Sequence, residues 1–140
     1  MPVARFLVDS SAWVRYPQAE VGARLDELGA AGMVASCGVV ELRLLGALRD
    51  AGTYATVAGL RRQAFKLLEM NEADVRRALE VQALLVERRE YGIPWPALLV
   101  AAVAERHGVT VLHSNPCYDV VVGVTGQGAE AVVDSGGLWL

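Results

Sequence analysis

The sequence predicts a three-layer α/β domain, a parallel sheet with helices on both faces, and three observations carry that prediction. Short runs rich in β-branched and aromatic residues recur at 3–9, 33–37, 109–113 and 129–133, each of strand length. Segments long enough for helices lie between them, the pattern of βα units joined by right-handed crossovers. The first run ends in a carboxylate, Phe6-Leu7-Val8-Asp9, and in such sheets functional groups gather at the carboxyl ends of the strands.

Residues 3–9 read as a buried strand followed by small polar residues, Ser10-Ser11. A helix is expected over 18–29, closed near Gly29 or Gly32, then a short strand, Met33-Val34-Ala35-Ser36-Cys37. The next helix runs from about 38 to 50 and breaks at Asp50-Ala51-Gly52. Two longer helices occupy 53–69 and 72–90, where the pairs Arg61/Arg62, Arg76/Arg77 and Arg88/Arg89 mark solvated faces. Tyr91–Pro96 forms a turn with proline near the start of a helix over 96–107, the position where its missing N–H costs least. His107-Gly108 ends that helix, and Val109–His113 is the third strand. A short helix from Pro116 to about Gly123 leads to the last strand near Ala129–Val133.

With 140 residues and 54% hydrophobic content, the chain is expected to be one domain over 1–140 with a core of its own. A pI near 5.4 and a net charge of -3 exclude a broadly basic nucleic-acid-coating surface. They leave room for a nuclease, whose site is acidic and whose grip can come from a local arginine patch. Lys66 is the only lysine, and arginine's planar fork suits phosphate, though base composition of the genome explains such a bias equally well. Cys37 and Cys117 are the only cysteines, and the N-terminus has no leader-like segment. The apolar stretch at 93–104 falls short of the roughly 20 residues that span a bilayer. A reduced, cytoplasmic protein without disulfide or membrane contact is the expectation.

A second acid, Glu41, sits in Val39-Val40-Glu41-Leu42-Arg43-Leu44-Leu45. At 100° per residue it falls inside the arc of Leu42, Leu44, Leu45 and Leu48, where an unpaired carboxylate is expensive to desolvate. Two acids projecting from core elements point to a shared hard cation, which takes carboxylate oxygen. Each has a plainer reading: Asp9 as a cap for the next helix, Glu41 as half of a buried pair with an arginine. Other chemistries lack their signatures. There is no G-x-S-x-G elbow and no P-loop. Gly123, Gly126 and Gly128 follow a helix, the wrong context for a dinucleotide. A phosphoacceptor receiver domain wants a lysine after a later strand, whereas Lys66 falls within a helical stretch. His107 and His113 have no zinc-site spacing and read as structural.

The segments Phe6-Leu7-Val8-Asp9-Ser10-Ser11-Ala12, Val40-Glu41-Leu42, Leu98–Gly108, and Val109–His113 with Tyr118-Asp119 together resemble the PIN-domain ribonucleases, in particular the VapC-type toxins of bacterial toxin–antitoxin pairs. The similarity runs in order along nearly the whole chain. It implies a PIN-like fold, endonucleolytic cleavage of RNA with Mg²⁺ or Mn²⁺, a homodimer, and inhibition by a cognate antitoxin. An antitoxin groove is expected between the helices at 18–29 and 53–69.

The resemblance implies Asp9, Glu41 and Asp119 as catalytic acids, with Asp9, Glu41 and Asn115 as metal ligands. Ser11 is expected to orient Asp9 through its hydroxyl, or else to cap the next helix. Three positions depart from the family pattern. Ala97 and Asn115 stand where the family has aspartates, and Cys117 where a further acid is common. Asn115 also suits a helix N-cap, Cys117 suits packing because sulfur is a poor magnesium ligand, and Asp119 suits the dipole of the helix it opens. The expectation is therefore a toxin-type endoribonuclease of reduced activity. The alternative is a non-catalytic PIN-fold protein, degenerate by nature or by engineering, that still binds antitoxin or RNA.

Overall fold

A computed structural model describes residues 3–133. Its elements are β1 (Phe6–Val8), α1 (Ser10–Trp13), α2 (Ala19–Ala30), β2 (Val34–Cys37), α3 (Gly38–Leu45), α4 (Ala51–Ala64), β3 (Lys66–Leu68), α5 (Glu72–Glu87), α6 (Trp95–His107), β4 (Thr110–His113), α7 (Cys117–Thr125) and β5 (Ala129–Ala131). The strands form one sheet in the order β3-β2-β1-β4-β5, and every pairing is parallel. All carboxyl ends therefore lie along one edge.

Register decides which side chains meet. Leu7 lies beside Ala35 and Val111, and these three face a core shared with Val81 and Leu85 of α5, Val100 and Val103 of α6, and Val121 of α7. The alternate residues Val8, Val34 and Leu112 face the other way, onto Ala12 of α1 and Val21 and Leu25 of α2. Period-2 alternation on a sheet buried on both faces gives the three layers.

Three elements differ from the sequence expectation. The stretch 53–69 is not one helix: α4 stops at Ala64, Phe65 is extended (φ -127°, ψ 138°), and Lys66–Leu68 pairs with β2 as an edge strand. Only Leu68 of the three is buried, so the strand is too short to show a period. The helix at 38–50 ends earlier, at Leu45, and Asp50 opens the next one, accepting from the Thr53 main-chain N–H at 2.8 Å. A single turn, α1, follows β1 directly.

Helix α5 begins with a reciprocal capping box between Asn71 and Asp74. Asp74 also accepts two hydrogen bonds from Arg106 of α6, at 2.8 and 2.9 Å, which locks α5 against α6. Among the described residues no helix is long and apolar enough to cross a membrane.

Candidate active site

Asp9 stands where β1 ends, at the carboxyl edge of the sheet, and is almost fully buried. Its extended backbone makes it the N-cap of α1. The Ser11 main-chain N–H donates to Asp9 Oδ2 at 3.0 Å, and the Tyr118 hydroxyl donates to Asp9 Oδ1 at 2.8 Å. Both carboxylate oxygens thus hold a donor, which explains how the charge survives burial. Burial and the Asp9 charge, the latter reinforced by the hydrogen bond, push the Tyr118 phenol well above its ordinary value, so it serves as a donor.

Ser11 acts through its main chain and not, as expected, through its hydroxyl. That hydroxyl accepts from the Ser114 N–H at 2.9 Å, tying the end of β4 to the end of β1. Ser114 Oγ in turn accepts from Arg15. Among the described residues Arg15 has no carboxylate partner within salt-bridge distance.

Glu41 lies in the first turn of α3 and has gone to a different neighbour. Arg61 Nε and Nη2 donate to its two oxygens at 2.8 and 3.0 Å, and Ser36 Oγ donates to Oε2. The Arg61 guanidinium also stacks on Trp13 and Phe65, 4.6 and 5.0 Å from the ring centroids. This is the buried arginine pair, the plainer of the two readings. It also corrects the assignment of Arg61 to a solvated face, since its side chain is only 13% exposed. Asp9 and Glu41 flank Cys37, whose buried thiol is pushed up chiefly by burial, with both carboxylates adding to the effect against the amides of Val40 and Val39. The Glu41 oxygens are held by Arg61 and Ser36, and those of Asp9 by Tyr118 and the Ser11 N–H.

The other expected positions lie past β4 and at the start of α6. Asn115 Oδ1 accepts from the Cys117 N–H at 3.0 Å, the capping role, and the Asn115 N–H donates to His113 Nδ1 at 3.2 Å. His113 is buried beside the Tyr118 ring, 5.0 Å between centroids, and burial lowers its pKa against the pull of Asp119 and Asp9. Its Nε2 has no hydrogen-bond partner among the described residues. Cys117 is a thiol raised to about 11, first by burial and then by Asp9, and packs against the core. Asp119 is exposed in the first turn of α7. Ala97 is buried in the first turn of α6 and offers no donor atom.

Arg43 was not singled out by sequence, although it stands only two residues from Glu41. Two residues are 200° on a helix, so with Glu41 turned to Arg61 the arginine faces elsewhere, above the buried Val39 and Val40. Its positive charge acts on Cys117 and Tyr118, the same two groups on which the Asp9 charge acts. Among the described residues it makes no ion pair.

The chain is 33% identical over 132 residues to ribonuclease VapC51 of Mycobacterium tuberculosis, covering 94% of this chain and 96% of that protein. Ribonuclease VapC21 of the same organism is 32% identical over 133 residues, with the same coverage. The chain belongs to the VapC ribonuclease family. No protein-family model matches it. Among solved structures, the DNA-bound VapBC of Salmonella typhimurium superposes with a TM-score of 0.74 at 13% identity, over 94% of this chain and 100% of that one. VapBC-1 of nontypeable Haemophilus influenzae also gives 0.74, at 11% identity, covering 92% and 98%. At these identities the likeness shows the fold, and it is the three-layer arrangement expected.

The resemblance to VapC toxins implies a divalent ion, and the residues present do not fit one as arranged. Among the described residues no group of three His, Cys, Asp or Glu side chains comes together. Glu41 is committed to Arg61, Asn115 to the Cys117 amide, and Ala97 has nothing to offer. Mg²⁺ demands near-ideal octahedral oxygen geometry and gives up water reluctantly, so Asp9 and an exposed Asp119 make a poor cage. Arg15, bonded to Ser114, brings a positive charge to this edge.

Proposed function

We propose that this chain is the toxin of a toxin–antitoxin pair, an endoribonuclease by family whose cleavage runs well below that of a relative with the full set of acids. The observation that carries the reading is 32–33% identity to VapC ribonucleases over 94% of the chain, with Asp9 held at the carboxyl edge where α/β sheets place their sites. Asp9 and Asp119 are the acids left to act on RNA, and Tyr118 and the Ser11 amide hold Asp9 in position.

The antitoxin would dock in the groove between α2 and α4. A cavity of about 590 Å³ opens there, lined by Trp13, Leu25, Leu44, Val57 and Phe65, with Asp26 and Arg61 as its charged groups. An amphipathic segment laying an apolar face into such a groove is a recurrent recognition mode. Assembly as a homodimer around that complex follows the family pattern.

The Glu41–Arg61 pair supports a second reading, a non-catalytic PIN-fold protein that keeps its antitoxin and RNA surfaces. One set of measurements separates them. Co-expression with the adjacent small reading frame should yield a stable complex, and loss of that complex on Val57→Asp, at a half-buried residue lining the groove, with the variant still folded by its thermal melt, would place the partner there. The isolated chain should then cleave structured RNA slowly with Mn²⁺, and Asp9→Asn should remove that cleavage. No cleavage alongside a stable complex favours the non-catalytic reading. Absence of both defeats the toxin assignment.

A further inference from the structure

Helix α5 carries two rows of residues side by side. Asp74, Ala78, Val81 and Leu85, at intervals of four, three and four, are the buried row. The row one residue further on, Val75, Leu79, Gln82 and Val86, repeats those intervals and spans about 60° of the helix surface. All four are exposed, the apolar ones to 41% at Val75, 59% at Leu79 and 53% at Val86. Alternating intervals of four and three form the seam by which one helix packs along another. Here nothing among the described residues covers that seam.

The ends of the row decide what fits it. One interval beyond Val75 stands Glu72, and one beyond Val86 stands Arg89. Glu72 meets only Arg76, at 3.3 Å in an exposed pair of the kind that contributes little. Arg89, just past the helix end, has no ion pair among the described residues. When two copies of α5 lie antiparallel about a two-fold axis, Val75 meets Val86, Leu79 meets Gln82, and Glu72 meets Arg89. Each pair is made twice, as an isologous interface requires. Parallel packing would instead set Glu72 against Glu72 and Arg89 against Arg89. The antiparallel register also brings Val75 of one copy to Val86 of the other, a wall of a cavity of about 150 Å³ completed by Leu85, Tyr91, Ile93 and Leu98. The row is thus complementary to itself in charge and in shape.

We propose that this exposed row of α5 is the surface on which a second copy of the chain docks, with the two helices antiparallel. The inference rests on the homodimer read above and adds to it the surface, the orientation and the residue pairs that set both. It also separates the two interfaces of the molecule. Helix α5 packs on one face of the sheet and α2 on the other, so the dimer leaves the groove between α2 and α4 open on both copies.

The test is sedimentation equilibrium of the full chain, which should be a dimer at micromolar concentration. Leu79→Lys should raise the dissociation constant about thirtyfold, the loss of one hot-spot residue. Leu60→Lys, a comparably exposed leucine on α4, should leave it unchanged. Glu72→Arg should weaken the dimer, and Arg89→Glu added to it should restore the affinity. Thermal melts confirm that each variant is folded. Orientation is read by disulfide trapping. Val75→Cys and Val86→Cys chains should cross-link when mixed and oxidised, but neither should cross-link to itself, because like positions stand about 16 Å apart along the helix axis. The parent, with Cys37 buried and Cys117 half-buried, is the control. A dimer indifferent to Leu79→Lys overturns the proposal while leaving the homodimer reading in place, as does self-cross-linking of Val75→Cys. A monomer at every concentration removes both. Loss of the antitoxin complex on Leu79→Lys, with the dimer intact, assigns the row to the antitoxin and overturns the proposal.

Discussion

Arg61 grips Glu41 with two hydrogen bonds of 2.8 and 3.0 Å while lying 4.6 Å from the Trp13 ring centroid. The pair joins α3 to α4 and packs α4 over α1, and it forms the wall between two clefts: the groove with Leu25 and Val57, and a second of about 540 Å³ with Tyr54, Arg62 and Lys66. The carboxylate that the family resemblance assigns to chemistry is also the one that ties α3 to α4.

Breaking this pair from either side should cost stability unequally. Arg61→Ala strands a carboxylate that is 19% exposed and removes the stacked guanidinium, so a loss of roughly 2–3 kcal/mol is expected, below the 3–5 of a fully buried pair. Glu41→Gln keeps the shape and one acceptor, and should cost about 1 kcal/mol. Urea denaturation of both variants checks the order. Equal losses would mean that the stacked guanidinium contributes nothing beyond its charge.

Tyr118→Phe removes one hydroxyl from a buried site and leaves Asp9 Oδ1 without its donor. A hydrogen bond to a charged group is worth about 1.5–3 kcal/mol, and the variant should lose an amount in that range. Restoring a donor by another route is not available, because Tyr118 is the only side chain hydrogen-bonded to Asp9 among the described residues. An unchanged midpoint would show that water replaces the phenol.

Asp74 gives a pH signature remote from the site. Arg106 holds its carboxyl below the ordinary value against the cost of burial, with the Asn71 main-chain N–H assisting. A folded-state pKa below the unfolded one contributes stability that is fully present above the ordinary carboxylate range and is lost as pH falls through the folded value. The parent and Asp74→Asn should therefore differ most at neutral pH, by about 2–3 kcal/mol for a charged bond in a buried capping box. The gap should close below about pH 4, the ordinary aspartate range. Denaturation midpoints measured from pH 7 to pH 3 provide the comparison.

What the sequence made legible follows from what each signal depends on. Strand runs at 33–37 and 109–113 were visible because both faces of a central parallel strand are buried. Lys66–Leu68 was not, because only Leu68 of that edge strand is buried and the stretch continues a helical pattern. Asp9 was readable from its place after an apolar run. The fate of Glu41 was not: its apolar arc said that the charge needs a partner, but Arg61, twenty residues on, carried no mark distinguishing it from Arg62. Arg15 was hidden for the same reason: it meets Ser114 across the sheet edge, and no local period reports that.

Returning acids to the edge tests its electrostatics directly. Ala97 is 3% exposed in the first turn of α6, where the helix dipole favours an acid but burial opposes an unpaired one. Ala97→Asp with Asn115→Asp should thus destabilise the metal-free protein and create affinity for Mn²⁺. At an ion concentration about 100 times the dissociation constant the recovery is about 2.7 kcal/mol, a rise in melting temperature of roughly 5–10 °C for a domain of this size. The parent should show little of that rise. The double variant should also cleave structured RNA faster than the parent, and Asp9→Asn in the same background should abolish the gain. Strong Asp9-dependent cleavage by the parent chain itself, with a melting shift in Mn²⁺ equal to that of the double variant, would show that Asp9 and Asp119 suffice without the two restored acids.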